Sequence, residues 1–397
     1  MPKSGYTVIY FLLSLFILTA NVQADTNADG GTTDDANVPE ALVPALEHLL
    51  SYAGAAGPRD PDAHRIGQII DFVNSAKNPE TTFSMGKRNG ASSNYYEFSI
   101  DRSLKDILNL VYNPDIPPHI ITPASIRRSE WIHIDGGKQQ LPRLSGYLKG
   151  YAKPVLIKGV EFIENTPDTF SGAYYAYEMD RVLILTRHQG RMALISISNQ
   201  RDKSNVGKKG LVLGSDDNWD YLYTGEKGCT KPGLGWVESY MYDSASIVVY
   251  YDVGGPTPQV RCGMFKWLRA GWAGINMVKP HHIRDGVKRF AKPFKDIIES
   301  PLLADTGRIS TAIKQINNLS EEELRQKVQN YFLYLKSLYR DQSRLARRWF
   351  DQLAGNNGHL AKMKPKEMKA FLEKAYIKHL LGKSPGINFS LNPGRPG

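Results

Sequence analysis

The fold is decided by WVESYMYD (236–243), SIVVYYD (246–252), QVRCGMFKWLRAGWAGINMV (259–278) and HHIRDGVKRFAKPFKDIIES (281–300). The first three parts are rich in Val, Ile, Tyr and Trp, which pack well on a pleated sheet. The fourth part places apolar residues three and four positions apart, as an amphipathic helix requires. The stretch therefore predicts strands that lead directly into a helix with one apolar face.

The helix predicted at the end of this stretch spans residues 283–298. Its apolar face consists of Ile283, Val287, Phe290, Phe294, Ile297 and Ile298, and its cationic face consists of Arg284, Lys288, Lys292 and Lys295. Pro293 interrupts the pattern, because a proline inside a helix removes a backbone hydrogen bond and kinks the axis. The helix therefore either bends at Pro293 or divides into two short helices.

The region before this helix contains many short strand-like runs separated by Gly, Asn and Asp. His188-Gln189-Gly190 joins two such runs as a hairpin turn. The region predicts one antiparallel sheet or half-barrel, whose inner face needs a cover, and residues 283–298 supply it. The predicted fold class is α+β, with a curved antiparallel sheet packed on a C-terminal amphipathic helix and a helical C-terminal extension. The sheet and its helix occupy residues 146–300.

The N-terminal segments differ sharply in composition. Residues 1–24 carry Lys3, an apolar run and a Val-Gln-Ala ending, which indicates a cleaved secretory signal peptide. The alternative is a retained membrane helix, for which the run is short. Residues 25–40 are acidic and polar and predict a disordered leader. Residues 41–145 predict an N-terminal α/β segment. The expected location is outside the cytoplasm, in a bacterial periplasm.

The C-terminal part is helical in pattern. Residues 301–382 predict a basic helical extension, and residues 383–397 predict a flexible tail. A capping box formed by Ser320 and Glu323 begins one long helix, whose apolar face continues to residue 353. The extension either packs its apolar faces on the sheet and on itself, or serves as a module that binds a partner or a membrane surface.

The net charge of +10 belongs to this C-terminal part. From residue 281 onward the chain contains 22 Lys and Arg against 11 Asp and Glu. In an exported protein such charge would meet anionic phospholipids or acidic partners, so an anionic membrane surface is a candidate partner and nucleic acid is not expected. The alternative is a solvated helical surface rich in lysine.

The cysteines are Cys229 and Cys262. In an oxidising compartment a lone pair favours a disulfide, which we predict between them. The alternatives are two unrelated buried thiols or, with less support, a metal site, because no CxxC or HxxxH spacing accompanies them.

One acidic loop resembles a calcium-binding loop. Asp216, Asn218 and Asp220 alternate as calcium ligands do. However, Tyr221 occupies the position of the turn glycine, and Lys227 occupies that of the bidentate glutamate. The loop is therefore interpreted as a turn, and no metal site is predicted.

Two groups of residues are candidates for catalysis. His281-His282 with Asp285 would pair an imidazole with a carboxylate, and Glu178 with Asp180 would form paired carboxylates. Arg181, Arg187 and His188 lie along the same predicted hairpin as Glu178. Structural histidines and ion pairs at a strand edge are the alternatives. No common catalytic or nucleotide-binding motif is present, so enzyme activity is left open and no cofactor is predicted.

Aromatic residues are the most persistent feature of the predicted sheet and helix. Side chains alternate between the faces of a strand, so about half of those in the sheet point to one face. There they either line a cavity for an apolar ligand with a polar end or fill a core. The predicted ligand-binding residues are Tyr175, Tyr177, Tyr240, Tyr242, Tyr250, Trp267, Trp272 and Phe290.

This arrangement resembles the closing segment of START-like helix-grip domains. The resemblance covers residues 147–300 and depends on a tyrosine-rich last strand pair, the turn KWLRAGWAGINMV and the basic helix GVKRFAKPFKDIIES. It implies a curved sheet around a long C-terminal helix, with lipids or other apolar ligands held between them. Pro293 departs from an unbroken helix of that kind.

The leading functional hypothesis is an exported soluble protein that binds a lipid or another amphipathic molecule between sheet and helix. A second hypothesis is an envelope hydrolase that acts through His188, Glu178 or His281. A third is a scaffold that recruits a partner through its helical tail. The sequence leaves the ligand and the oligomeric state undetermined.

Overall fold

The structure is a computed structural model that describes most of the chain after the leader. The described residues are 37–54, 57, 60–75, 80–138, 140–149, 153–169, 171–231, 235–303, 305–354 and 359–384. The predicted signal peptide, most of the predicted leader and most of the predicted tail lie outside these ranges. Within them, no helix is both long enough and apolar enough to cross a membrane.

Most strands are consecutive in the chain and most helices lie before or after them, which is an α+β arrangement, as the sequence predicts. The α-helices are α1 (Val43–Ser51), α2 (Ala63–Asn74), α3 (Leu104–Val111), α4 (Pro280–Glu299), α5 (Thr306–Asn317), α6 (Glu321–Tyr339), α7 (Arg344–Ala354), α8 (His359–Lys362) and α9 (Pro365–Leu380). The strands are β1 (Thr82–Phe83), β2 (Ser92–Ile100), β3 (Ile126–Ile134), β4 (Val155–Asn165), β5 (Ala173–Tyr174), β6 (Ala176–His188), β7 (Arg191–Gln200), β8 (Lys208–Val212), β9 (Tyr221–Lys227), β10 (Cys229–Lys231), β11 (Gly235–Val237), β12 (Tyr240–Asp252), β13 (Val260–Trp272) and β14 (Ile275–Asn276).

The main sheet is antiparallel throughout and has the strand order β1-β2-β13-β12-β7-β6-β4-β3, with β14 paired to β13. A two-residue turn joins β6 to β7, where Gln189 has φ 49° and Gly190 has φ 78°. Positive φ at both positions is typical of the turn that matches the strand twist. Strands β1, β2 and β3 belong to the same sheet, which therefore extends across the segment boundary that the sequence places at residue 146. Two smaller sheets are β5-β8-β9 and β10-β11.

Strand alternation gives the main sheet two different faces. On one face Ile195, Ile247 and Phe265 are buried under α1 and α2. We call the opposite face the inner face, because α3, α4 and part of the C-terminal extension cover it. Alternate residues of a strand point to opposite faces of the sheet. A change of one residue in the strand register would therefore move the residues of each face to the other face.

Helix α4 is fastened to β2 near both of its ends. At the start, the Ser92 hydroxyl donates a 2.6 Å hydrogen bond to the carbonyl of Val278, just before the helix. At the end, Arg102 Nη2 donates to the Glu299 carbonyl over 2.7 Å, and the backbone N–H of Asp101 donates to Glu299 Oε1 over 2.7 Å. The helix is continuous with Pro293 inside it, so it does not divide in two. These bonds hold α4 above the β2 side of the inner face.

The long helix predicted in the extension is divided in the structure. Helix α6 ends at Tyr339, and Ser343 is extended before α7 begins. The Ser343 hydroxyl accepts a 3.0 Å hydrogen bond from the backbone N–H of Ala346, which caps α7. The apolar pattern runs on across this break and does not indicate it. A capping residue such as Ser343 occupies one polar position and leaves the spacing of the apolar residues unchanged. The predicted capping box at Ser320 and Glu323 is present.

The extension packs on the rest of the protein. Leu335, Phe332 and Phe350 from α6 and α7 are buried against Leu213 and Leu222, which lie beside and within the small sheet β5-β8-β9. Two lysines of α4 also bind groups of the protein itself: Lys292 bonds Asp217 at the surface over 2.6 Å, and Lys295 bonds the Ser99 carbonyl over 2.8 Å. These two cations of the predicted cationic face therefore have partners within the protein, whereas Lys288 of the same face is exposed.

Replacing Phe294 with alanine should lower the free energy of unfolding by about 3–5 kcal/mol, because large-to-small changes in a packed core leave a cavity. The Phe294 ring is fully buried and lies 5.1 Å from the Phe290 ring and 6.1 Å from the Tyr250 ring. Urea denaturation measures the change. The control Leu333→Ala removes a side chain that is 52% exposed and should cost less than about 0.5 kcal/mol. Equal losses would contradict the assignment of Phe294 to the core.

Candidate functional site

A cavity of about 740 Å³ lies between the inner face of the sheet and α4. Its apolar roof comes from α4, through Ile283, Val287, Phe290 and Phe294. Its side wall is the segment 111–118 that follows α3, and α5 contributes Ile313. The floor consists of the central strands of the main sheet. The cavity exists because α4 packs mainly on β2 and β13, away from β7 and β6.

A row of polar side chains crosses the floor of this cavity. Lys266, Ser246, Ser198 and Arg181 are successive cross-strand partners on β13, β12, β7 and β6. The hydroxyls of Ser198 and Ser246 share a 2.7 Å hydrogen bond. We call these four residues the polar row. Beside the row the floor becomes apolar toward Val248 and Tyr250, so the cavity has a polar part and an apolar part.

Arg181 is neutralised by a carboxylate inside the cavity. Its Nε and Nη2 atoms lie 2.8 and 2.7 Å from Glu161 Oε2, and its Nη1 donates to the Ser196 hydroxyl over 3.2 Å. Burial alone would disfavour the cation, but the Glu161 charge outweighs it and raises the pKa of Arg181. The pair is a fixed, hydrogen-bonded part of the wall.

Lys266 differs from Arg181 because it has no carboxylate partner among the described residues. Its amine donates a 2.7 Å hydrogen bond to the Ser244 hydroxyl. Burial, together with repulsion from Arg181, lowers the pKa of Lys266 to about 8, although the charge of Asp243 acts in the opposite direction. Near neutral pH the amine is therefore mainly a cation that faces the cavity, and it is close to losing its proton.

Tyrosine hydroxyls complete the polar part of the wall. Burial raises the pKa of Tyr177 to about 12, and it raises the pKa values of Tyr112 and Tyr250 as well. These phenols are therefore neutral at physiological pH. Each can donate and accept a hydrogen bond, which suits an oxygen-bearing ligand.

Three of the eight residues predicted from the sequence line the cavity: Tyr177, Tyr250 and Phe290. The other five lie elsewhere. Trp267 points to the opposite face of the sheet and donates to the Gly86 carbonyl over 3.3 Å. Its neighbour Lys266 points into the cavity, as strand alternation requires. The number of aromatic residues in a strand does not indicate which face of the sheet each ring occupies.

The remaining four residues lie near strand ends. Tyr175 packs in a separate small cluster and shares a 3.0 Å hydrogen bond with Ser239. Tyr240 and Tyr242 lie beside Lys203 and Arg269, with cation-to-ring distances of 4.2 and 5.3 Å. Trp272 is the last residue of β13. None of the four lines the cavity.

The sequence contained a signal for the polar row. Ser196 and Ser198 alternate with Ile195 and Ile197 in β7, and Ser246 precedes Ile247 in β12. Polar residues at every second position of otherwise apolar strands indicate one dry face and one face with polar contacts. Of the four residues in the row, only Arg181 belongs to a site predicted from the sequence, the catalytic hairpin that also contains Glu178.

The predicted disulfide is wrong, because Cys262 is a free and buried thiol. It lies on the inner face near the start of β13, where Phe98 and Tyr250 are its cross-strand partners. The side chain of Cys229 lies outside the described part of the chain. Burial raises the pKa of the Cys262 thiol, so it behaves as a small apolar core residue.

The candidate catalytic residues do not form one site. His188 Nε2 lies 2.6 Å from Asp71 Oδ1 on α2, whereas Glu178 lies 3.9 Å from Arg201. Glu178 and His188 are ten residues apart in one strand, a separation of about 33 Å. His281 contacts the ring of His282 at 4.2 Å.

The carboxylates of the acidic loop bind cations of the protein itself. Asp216 bonds Arg289 over 2.6 and 2.7 Å, and Asp220 pairs with Lys378. Over the described residues, no group of three or more His, Cys, Asp or Glu side chains is arranged to hold a metal ion.

Comparisons with known proteins give only weak structural similarity. No family model matches the chain, and no curated protein matches it. A matching solved structure is the human StarD13 (DLC2) lipid transfer and protein localization domain, at 11% sequence identity and a TM-score of 0.28. The match covers 59% of this chain and 98% of that chain. The similarity is a weak START-like resemblance of the fold.

The Lys266 amine should become reactive at lower pH than the surface amine of Lys292. Protonated amines are unreactive, and the pKa of Lys266 is about 8, whereas the hydrogen bond to Asp217 raises the pKa of Lys292 above 10.5. Brief labelling with acetic anhydride between pH 6 and 11, followed by peptide mass spectrometry, measures both midpoints. A midpoint for Lys266 at or above that of Lys292 would contradict the lowered pKa.

Proposed function

We propose that this protein binds an amphipathic molecule in the cavity, with its apolar part against α4 and its polar end at the polar row. The observation that carries the proposal is a cavity of about 740 Å³ whose roof is apolar and whose floor carries ordered polar groups. Protein interiors are normally packed to crystal density. Ligand sites are typically cavities of about 300–1,000 Å³ with a few placed polar groups, and this cavity has that form.

The polar groups in the wall support the same conclusion. The buried Ser129 hydroxyl, which lines the cavity, has no hydrogen-bond partner among the described residues. Leaving a buried polar group unsatisfied costs about 1–3 kcal/mol. A ligand with an oxygen atom would supply the missing partner, and its apolar part would cover the Phe290 ring, which is partly exposed.

The other hypotheses receive less support. His188 and Glu178 are held by separate partners at opposite ends of β6, so a hydrolase that uses both has no common site. A scaffold function through the extension receives less support, because α6 and α7 bury the main part of their apolar faces, including Phe332, Leu335 and Phe350, within the protein.

Export is part of the proposal. It is supported by the composition of residues 1–24, with Lys3, an apolar run and a small-residue ending. This is the pattern of a secretory signal peptide. A periplasmic binding protein for an amphipathic molecule is consistent with this pattern.

Filling the cavity should remove binding. Met264 lines the floor and is partly uncovered toward the cavity, so Met264→Trp places a larger ring where the ligand would lie. We expect at least a roughly tenfold loss of affinity for a fluorescent C16 fatty-acid probe, equal to about 1.4 kcal/mol. Probe titration measures the loss, and native mass spectrometry of the purified protein reports any ligand that remains bound.

The matched control for this experiment is Tyr242→Ala, which removes a predicted residue that lies outside the cavity. Its affinity for the probe should equal that of the wild type. If the wild type binds neither the probe nor any copurified lipid, the proposed function is wrong.

Export is tested separately. If the chain is expressed with its own N-terminus in a bacterium with two membranes, the periplasmic fraction should contain a product that begins at or near Asp25. N-terminal sequencing identifies the cleavage site, and Lys3→Glu should reduce export because it reverses the charge that precedes the apolar run. Recovery of an uncleaved product in the cytoplasm would contradict export.

A further inference from the structure

We infer that the polar end of the ligand is an acidic group, a carboxylate or a phosphate monoester, held by Lys266 and the hydroxyls of Ser246 and Ser198. The inference depends on the proposed function and assigns the chemical class of the ligand. It stands on the charge balance of the cavity floor and on the hydrogen bonds that remain available there.

The cavity floor carries two cations, Arg181 and Lys266, and Glu161 neutralises only one of them. Glu161 is bound to Arg181 through two short contacts, which leaves the Lys266 ammonium without an ion-pair partner among the described residues. Asp243 acts on the amine only as a more distant charge. A buried charge is costly unless it is paired and hydrogen-bonded. An acidic ligand group would supply the missing partner.

The donors around Lys266 are also only partly used. An ammonium has three N–H donors, and the Ser244 hydroxyl accepts one of them. The Ser198 and Ser246 hydroxyls share one hydrogen bond, so one of the two hydroxyl protons remains free. These donors face one part of the cavity, where an acidic group with two or three oxygens accepts several hydrogen bonds at once.

Other ligand classes fit this floor less well. A cationic head group would meet the unpaired Lys266 ammonium with the same sign of charge. A neutral alcohol would accept one hydrogen bond but leave the ammonium without a counter-charge. The apolar roof excludes a small acid without a tail, because such a ligand would leave Phe290 and Val287 uncovered.

The test compares ligands that share one tail and differ only in the head group. The probes are hexadecanoate, hexadecyl phosphate and hexadecan-1-ol, each titrated by displacement of the fluorescent probe at pH 7. The wild type should bind at least one acid about tenfold or more tightly than the alcohol, because a hydrogen bond to a charged group contributes more than a neutral one. The tighter of the two acids identifies the head group.

Variants of Lys266 assign that preference to the amine. Lys266→Met should remove the preference for the acid and leave the affinity for hexadecan-1-ol within about threefold, which also shows that the variant is folded. Lys266→Arg keeps the charge and should keep the preference. Lys288→Met removes an exposed lysine from the outer side of α4 and should change neither affinity.

The outcomes separate the two proposals. Equal binding of acids and alcohol by the wild type, or a preference that survives Lys266→Met, overturns the acidic ligand but leaves the binding function intact. Failure of all three probes to bind the wild type overturns the proposed function itself.

Discussion

The structure depends on the antiparallel pairing of β13, β12, β7 and β6, because their alternation sets the content of both faces at once. Ile195 and Ile247 lie on one face and Ser196 and Ser246 lie on the other. The first face is wholly apolar at its centre, and α1 and α2 cover it. The inner face combines apolar and polar rows, so a single helix cannot cover it without burying charge. The cavity is the consequence of this mixed face.

The position of α4 keeps that cavity open. The bonds from Ser92, Asp101 and Arg102 fix the helix to the β2 side of the sheet, while the segment 111–118 and α5 close the remaining sides. Phe294 packs against Tyr250 and Phe98 at one end, where the interior is filled. The space under α4 is therefore a filled aromatic core near one end of the helix and a cavity near the other end.

The C-terminal extension is joined to the sheet by buried charges. Arg127 on β3 lies 3.1 Å from both Glu164 and Glu367, and its guanidinium lies 4.0 Å from the centre of the Tyr223 ring. Lys374 on α9 donates to two backbone carbonyls over 2.9 Å each. Buried ion pairs add little net stability, but removal of one partner leaves an uncompensated charge. The network therefore fixes the position of α9 on the sheet. Helix α9 in turn packs against the segment that leads from α3 to β3.

The sequence by itself determined the local elements. The β-branched and aromatic run in residues 246–252 and the spacing of apolar residues in 283–298 predict a strand and a helix, because both patterns are short-range. The α+β class follows from them, and so do the hairpin at Gln189-Gly190 and the cap at Ser320. Only the tertiary structure decided which face each strand residue occupies relative to α4. That choice excluded Trp267 from the cavity, left Cys262 buried and without a disulfide, and brought Lys266 into line with Ser246, Ser198 and Arg181. These four residues come from four strands, and cross-strand register depends on long-range pairing that no local pattern encodes.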